Sequence, residues 1–449
     1  MERFDVLVAG AGASGMCAAV AAAREGARVL LVEKTGLLGG SNTQSLVCPL
    51  MGFHAGGQQV VRGLAQEIVE RLREKEGTLG HIPDPLGVAE TITPIEPETL
   101  REVYFDLLRE EKGISPLLHT LVMEAHVEDG RIQGITMAGK AGKTEARASV
   151  YIDATGDGDL AAASGVPFTQ GRPSDGAAQP MTLLMKLGGV DLEKVRSFMR
   201  RSPSQFVLRD DWDTMPYIAV SGFFEKVEQA RARGELTLPR DRVLFFQGVR
   251  EGEVIVNMGR VIQCRSTDAM DMTRAEMEGR RQVREILNFL KNHVDGFEAS
   301  FLVETGATIG VRESRHFRGL YTLQAEDVLR GAMFDDAVAM CGFPMDIHDP
   351  LGKDLAWTQM TQWQGYDIPY RVMVPETLEN LLVTGRCVSA THEAAASARI
   401  TPTAMALGEA AGIAAALSKE TRVQDMDTGL LRERIRTWGG IPGRESLPR

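Results

Sequence analysis

Residues 4–16, FDVLVAGAGASGM, decide the fold. An apolar run ends in Gly10, Gly12 and Gly15, spaced G-x-G-x-x-G, and an alanine-rich run follows as far as residue 23. A second apolar run, residues 29–32, closes on Glu33. This is the layout of a βαβ unit that binds a dinucleotide. The chain must turn tightly off the strand, a pyrophosphate must approach the backbone, and the helix must pack closely on the sheet; glycine allows all three. Ala13 and Ser14 fall in the first helical turn, where free N–H groups meet phosphate, and Glu33 is placed to hold a ribose hydroxyl pair. A glycine-rich turn alone recurs by chance, but here strand, helix, second strand and acid all stand where the mechanism needs them.

Lys34 follows, and then the doublet Gly39-Gly40 with Ser41 and Asn42, small groups that let a second pass of backbone approach the same phosphates. A paired glycine after the ribose acid resembles the flavoprotein group of glutathione reductase and fumarate reductase, whose dinucleotide is FAD. YIDATGD (151–157), with Ala154, Thr155, Gly156 and Asp157, is similar to that group's second flavin-binding strand. NLLVTGR (380–386), ending in Gly385 and Arg386, is similar to its last, ahead of a helix at residues 404–417. The blocks GFHAGG (52–57), GVRESR (310–315), IPYR (368–371) and GRCVSATH (385–392) narrow the resemblance to the FAD-dependent oxidoreductases written FAD_oxidored, over residues 3–418.

The resemblance implies an α/β fold: a Rossmann-like FAD-binding domain whose parallel sheet carries an inserted β-meander, plus an α+β substrate or cap domain. It places Val122 at the adenine contact, and Thr403 and Ala404 at a helix start facing the flavin's pyrimidine edge. Arg386 departs from the wider group, where many relatives have an acid bonding the flavin's ribityl chain; it is expected to face a phosphate. Fumarate reductases link flavin through a histidine, and Asn42 occupies the comparable stretch here, so FAD is expected to be non-covalent.

With 449 residues and 43% hydrophobic content, the chain can bury one or two sizeable cores. Motif positions favour two: residues 1–165 with 366–425 as a discontinuous FAD-binding domain and 166–365 as the cap, leaving 426–449 as a C-terminal segment. Net charge is −11, and no basic run tracks a phosphate backbone, which excludes nucleic acid as the expected partner. The chain enters a strand directly, without a basic leader, and the helix at 404 is interrupted by Glu409 and too short to span a bilayer. A cytoplasmic protein without a membrane partner is expected. Its five cysteines are far apart, with no C-x-x-C pair, so neither metal nor disulfide is predicted.

Helical periodicity covers residues 60–75 and 97–111. Residues 121–126 and 131–137 flank Glu128-Asp-Gly130, a hairpin signal, and 146–152 supplies the third strand of the meander. From residue 164 the alternation breaks: 181–187, 242–247 and 253–258 read as strands, 223–233 and 273–289 as helices. The tail from Thr437 is the one stretch read as disordered.

FAD supplies the redox chemistry, so substrate orientation and proton transfer fall to side chains. Arg312, Arg315 and His316 lie close together after an apolar stretch, and guanidinium forks suit a carboxylate. His392 and Arg399 flank Ala394-Ala-Ala396, small residues that permit close approach of a ring; with Tyr370, these are the candidate catalytic groups. The reaction expected is hydride transfer to or from a small polar, carboxylated substrate. A flavin monooxygenase or oxidase, and a flavoprotein electron-transfer subunit, are the competing readings. No second G-x-G-x-x-G follows a strand, so the electron partner is expected to be another protein or a second substrate.

Overall fold

The computed structural model describes residues 3–351, 355–357 and 365–447. Strand Arg3–Ala9 runs parallel between Val29–Val32 and Gly142–Asp153, with Ile114–Leu117 outside the former and Leu381–Val383 beside the latter. Val29–Val32 is buried throughout, as expected for a strand covered on both faces. Gly142–Asp153 serves two sheets at once. Its first half pairs antiparallel with Arg131–Gly139, which pairs in turn with Leu121–Glu128, while its second half joins the parallel sheet. The predicted meander is therefore an outgrowth of a central strand, turned at Asp129-Gly130, where both residues have positive φ.

Helix Ala13–Arg24 packs on Thr401–Leu417, and both are apolar nearly all round. Small residues set the separation. A Cβ on Gly408 would lie 2.1 Å from the Ser14 carbonyl oxygen, and one on Gly412 2.2 Å from that of Ala18. Backbone thus approaches backbone one turn apart, at i and i+4.

A second hydrophobic core spans Met181 to Ile309. Its antiparallel sheet runs Ala219–Gly222, Val243–Gln247, Val254–Val256, Met185–Gly188, Phe301–Thr305, packed with helices Leu192–Arg201, Phe224–Ala232 and Ala269–His293. Lys186 joins the two cores: buried in the second sheet, its ammonium lies 2.8 Å from Glu96, at the start of helix Pro97–Glu110, and 2.8 Å from Glu253.

Packing departs from the sequence-based limits in two places. Ala337–Cys341, on the cap side of a boundary at 365, pairs with Tyr366–Pro369 and sits in the first core. Helix Thr428–Thr437, set apart as a C-terminal segment, buries Leu431 and Ile435 in that same core. Beyond Thr437 the chain is also anchored, the Arg444 N–H donating to Asp367 at 2.8 Å. The apolar spacing at Leu431 and Ile435 carries the signal for this docking; loop composition after it does not.

Candidate active site

Four strands of the parallel sheet end at one edge, leading into Gly10, Glu33, residues 154–157 and residues 384–386. Open α/β sheets bind ligands at this carboxyl edge. A cleft of about 530 Å³ follows it from Glu33 past Gly10, Gly12 and Ser14 to residues of the second core. Gly10 has φ +96°, and a Cβ there would meet the Ala154 carbonyl oxygen at 2.4 Å. No side chain caps helix Ala13–Arg24, so its first N–H groups are left for a ligand, and the same holds at the start of Thr401–Leu417. Glu33 is buried at the cleft's end. Its carboxylate accepts from the N–H groups of Ala11 and Thr35 and from the Thr35 hydroxyl, each at 2.9 Å, which aims it without using all its lone pairs. These features fit FAD: an open glycine turn and helix start for the pyrophosphate, an aimed acid for the ribose, and a second uncapped helix start further along.

Of the predicted cofactor residues, Gly10, Gly12, Ala13, Ser14, Glu33 and Lys34 line the cleft, as do Gly40 and Ser41. Ala154, Thr155, Gly156 and Asp157 line it from the next strand end, and Gly385, Arg386 and Ala404 from the last segments. Five do not. Gly15 packs against the Gly10 carbonyl, and Gly39 against Thr43 and Tyr104. Asn42 is buried and donates to the Val47 carbonyl at 2.7 Å, Thr403 turns towards the Met340 carbonyl at 3.5 Å, and Val122 lies on an outer meander strand opposite Met137. Gly15, Gly39, Asn42 and Thr403 thus pack within the turns and helix starts, and Val122 lies away from them. Arg386 lines the cleft with its nitrogens engaged by the protein, donating to the Gly156 and Val311 carbonyls and to Asp157, at 2.8–2.9 Å. The salt bridge holds the Asp157 carboxyl below its usual range against the cost of burial.

The catalytic candidates divide similarly. Arg312 and Arg399 line the cleft; Arg315, His316, His392 and Tyr370 do not. Arg315 donates to the Asp157 carbonyl and to Asp159, at 2.8 and 3.0 Å, with its guanidinium over Phe168. His316 and His392 meet on Glu313, which lies between the two arginines named from sequence and is buried. Glu313 accepts from His316 at 3.0 Å, from His392 at 2.6 Å and from the Gln179 N–H at 2.9 Å. Burial opposes its charge, yet the two imidazoles hold its carboxyl down to about 2. This is an internal charge-assisted clamp. Tyr370 donates to the Val423 carbonyl at 2.9 Å and is occupied there. Except for His316, whose partner is three residues away, these side chains are turned by partners distant in the chain.

The cleft's far end holds groups that sequence reading missed. Arg240, Arg260, Asp346 and His348 join Arg312 and Arg399 there. Arg312 donates to the Pro180 carbonyl at 2.5 Å and to Thr182 Oγ1 at 2.7 Å; Arg260 reaches the same hydroxyl at 3.3 Å. Arg399 donates to the carbonyls of Arg312 and Asp346, at 3.1 and 3.2 Å. His348 is read from its neighbours. Arg260 can only donate, so His348 Nδ1 accepts at 3.2 Å, and its Nε2–H donates to Asp346 at 3.1 Å. The ring is thus the neutral tautomer, in keeping with burial lowering it to about 4 despite Asp346. His348 and Arg399 hold Asp346 ionised, well below its usual range, although burial opposes this. Burial, with Arg399 adjacent, also brings the Arg312 guanidinium down to about 9, still a cation at neutral pH. Cys48 lines the cleft as well, but burial pushes its thiol up, leaving a small apolar wall.

Fold and site together define a dinucleotide-binding oxidoreductase with a polar, arginine-lined chamber beside the cofactor. The chain belongs to the FAD dependent oxidoreductase family, whose profile matches residues 5–435. It is an enzyme of that family, and its cofactor is non-covalently bound FAD. No curated protein matches the chain. Among solved structures, it is similar to a geranylgeranyl bacteriochlorophyll reductase-like protein from Thermoplasma acidophilum, with TM-score 0.49, 14% identity, and 98% of this chain and 87% of that one covered. It is also similar to L-proline dehydrogenase from P. horikoshii, with TM-score 0.42, 11% identity, and 98% and 99% covered. A flavoprotein/dehydrogenase from Cytophaga hutchinsonii gives TM-score 0.45 and 12% identity, with 97% and 84% covered. Among the described residues, no single helix is long and apolar enough to cross a membrane.

Proposed function

We propose that the enzyme moves a hydride between its flavin and a small organic substrate held by a carboxylate in the arginine-lined end of the cleft. The observation that carries this reading is the convergence of Arg312 and Arg399, from different segments, on one chamber continuous with the dinucleotide turn. FAD supplies the two-electron chemistry when bound. The chain's own residues orient the substrate. Arg312 is anchored through the Pro180 carbonyl, Thr182 and Asn257, and Arg399 through two carbonyls, so both guanidinium groups are positioned before a ligand arrives. Asp346 sets Arg399 from 3.9 Å. Held ionised, it is a weak base at neutral pH, and with His348 it contributes orientation and charge balance rather than proton abstraction.

The test is anaerobic titration of the holoenzyme with a carboxylic-acid library, read in the flavin spectrum. Some carboxylates should perturb it, and Arg312→Ala or Arg399→Ala should weaken the response by about 2–5 kcal/mol while FAD stays bound. A response that survives both substitutions, or a library without effect, rejects the carboxylate reading. Loss of FAD or of folding in both variants would assign the two arginines to architecture instead.

A further inference from the structure

The chamber carries more positive charge than the protein balances. Arg240, Arg260, Arg312 and Arg399 line it, and the carboxylate set among them is Asp346. The other charged pairs of the wall are closed: Arg242 lies 2.7 Å from Asp241, and Arg386 2.9 Å from Asp157. His348 adds no charge, since its ring is the neutral tautomer between Arg260 and Asp346. Among the described residues, four guanidinium groups thus face one carboxylate, and Arg399 is the one that comes within 4 Å of it.

Arg240 is the exposed nerve of this imbalance. It precedes strand Val243–Gln247, is 6% exposed, and has neither Nε nor Nη1 hydrogen-bonded among the described residues. Burying a guanidinium without acceptors is unfavourable, and a ligand that supplies them relieves that cost. A monocarboxylate seated on Arg312 and Arg399 adds one negative charge and leaves Arg240 bare. The Asp346 carboxylate oxygen Oδ1 is likewise buried and without a partner among the described residues, so the wall offers a ligand one acceptor beside several donors.

Building on the carboxylate reading above, we propose that the substrate is a dianion and that Arg240 binds its second anionic group. One end rests on Arg312 and Arg399, and the other meets the two unpartnered nitrogens of Arg240. Arg240 is then the residue that separates dianions from monoanions of the same length.

The probes are malonate, succinate and glutarate, matched against acetate, propionate and butyrate, with methyl phosphate as a dianion of different geometry. They are titrated into FAD-loaded enzyme without oxygen, and binding is read by the flavin spectrum and by calorimetry. A dianion is expected to bind about ten-fold or more tighter than its matched monoanion. In Arg240→Gln that ratio should collapse to near one with FAD content intact, and Arg240→Lys should restore part of it. A gain confined to the dicarboxylates supports two separate anionic ends, and one confined to methyl phosphate, whose charge sits on a single group, overturns the two-ended arrangement. Equal binding of both classes by the parent overturns the dianion proposal alone and leaves the carboxylate reading standing. So does a ratio unchanged in Arg240→Gln, or loss of FAD from both Arg240 variants. Failure of every anion to bind overturns both readings.

Discussion

Glu409 is an acid placed where its charge is unwelcome. It lies inside helix Thr401–Leu417, 2% exposed, and takes the Leu64 N–H at 2.6 Å, capping a helix whose own N-cap, Gly63, has no side chain to offer. Burial pushes its carboxyl up to about 8. The folded protein therefore keeps a proton that the unfolded chain releases near the ordinary carboxyl value of about 4.3. With more protons bound in the folded state, stability falls as pH rises through that window, by about 1.4 kcal/mol per unit, and levels off above the folded value. Glu409→Gln keeps the acceptor and removes the titration. The difference in urea midpoint between parent and variant should grow from pH 5 to pH 8 in the variant's favour; parallel curves would show that Glu409 is ionised in the folded state. Asp153 has the same character at the end of strand Gly142–Asp153: buried and pushed up to about 6, it accepts from Thr155 and Ala161 and shapes the turn that delivers Gly156 to the cleft.

Among elements, the pair Ala13–Arg24 and Thr401–Leu417 matters most, because both begin at the cleft and their separation sets where two uncapped N-termini point. An ordinary Gly→Ala change inside a helix stabilises by up to about 1 kcal/mol. Gly408→Ala should do the reverse. Its methyl would enter the Ser14 backbone at 2.1 Å, so the helices must part, at a cost of about 1–3 kcal/mol, and Ser14 moves with them. Thermal denaturation and FAD affinity should both fall; a variant as stable as the parent would mean the helices have room to spare. The short helix His392–Ala398 is the other element with consequences. Thr391 caps it, and the helix buries His392 against Glu313 and presents Arg399 at its end.

For the whole molecule, the cleft is walled by both hydrophobic cores, so filling it couples them. Purified protein should be yellow and should release intact FAD on heating. FAD returned to the stripped protein should raise its stability, by about 2.7 kcal/mol at a hundred times the dissociation constant. Colourless protein that regains neither colour nor stability with FAD would contradict the cofactor assignment. The Lys186 bridge to Glu96 and Glu253 is part of this coupling.

The sequence by itself determined the dinucleotide unit, the meander and the helix at the end of the sheet. Each is written in local physics: glycine spacing for a turn, strand and helix periods, and an acid at a strand end, all within a few tens of residues. Gly10, Glu33, Gly156 and Gly385 were legible for that reason. Only the tertiary structure decided which polar side chains share the chamber. Arg240, Arg260, Arg312, Asp346, His348 and Arg399 come from separate stretches spread over residues 240–399, and nothing local marks which way a guanidinium or imidazole turns. His316, His392 and Tyr370 looked equally available in sequence. They turn away from the cleft because a buried polar group must find a partner, and Glu313 and the Val423 carbonyl supply it. Arg240 stayed in the chamber for the complementary reason: among the described residues, no acceptor reaches its Nε and Nη1.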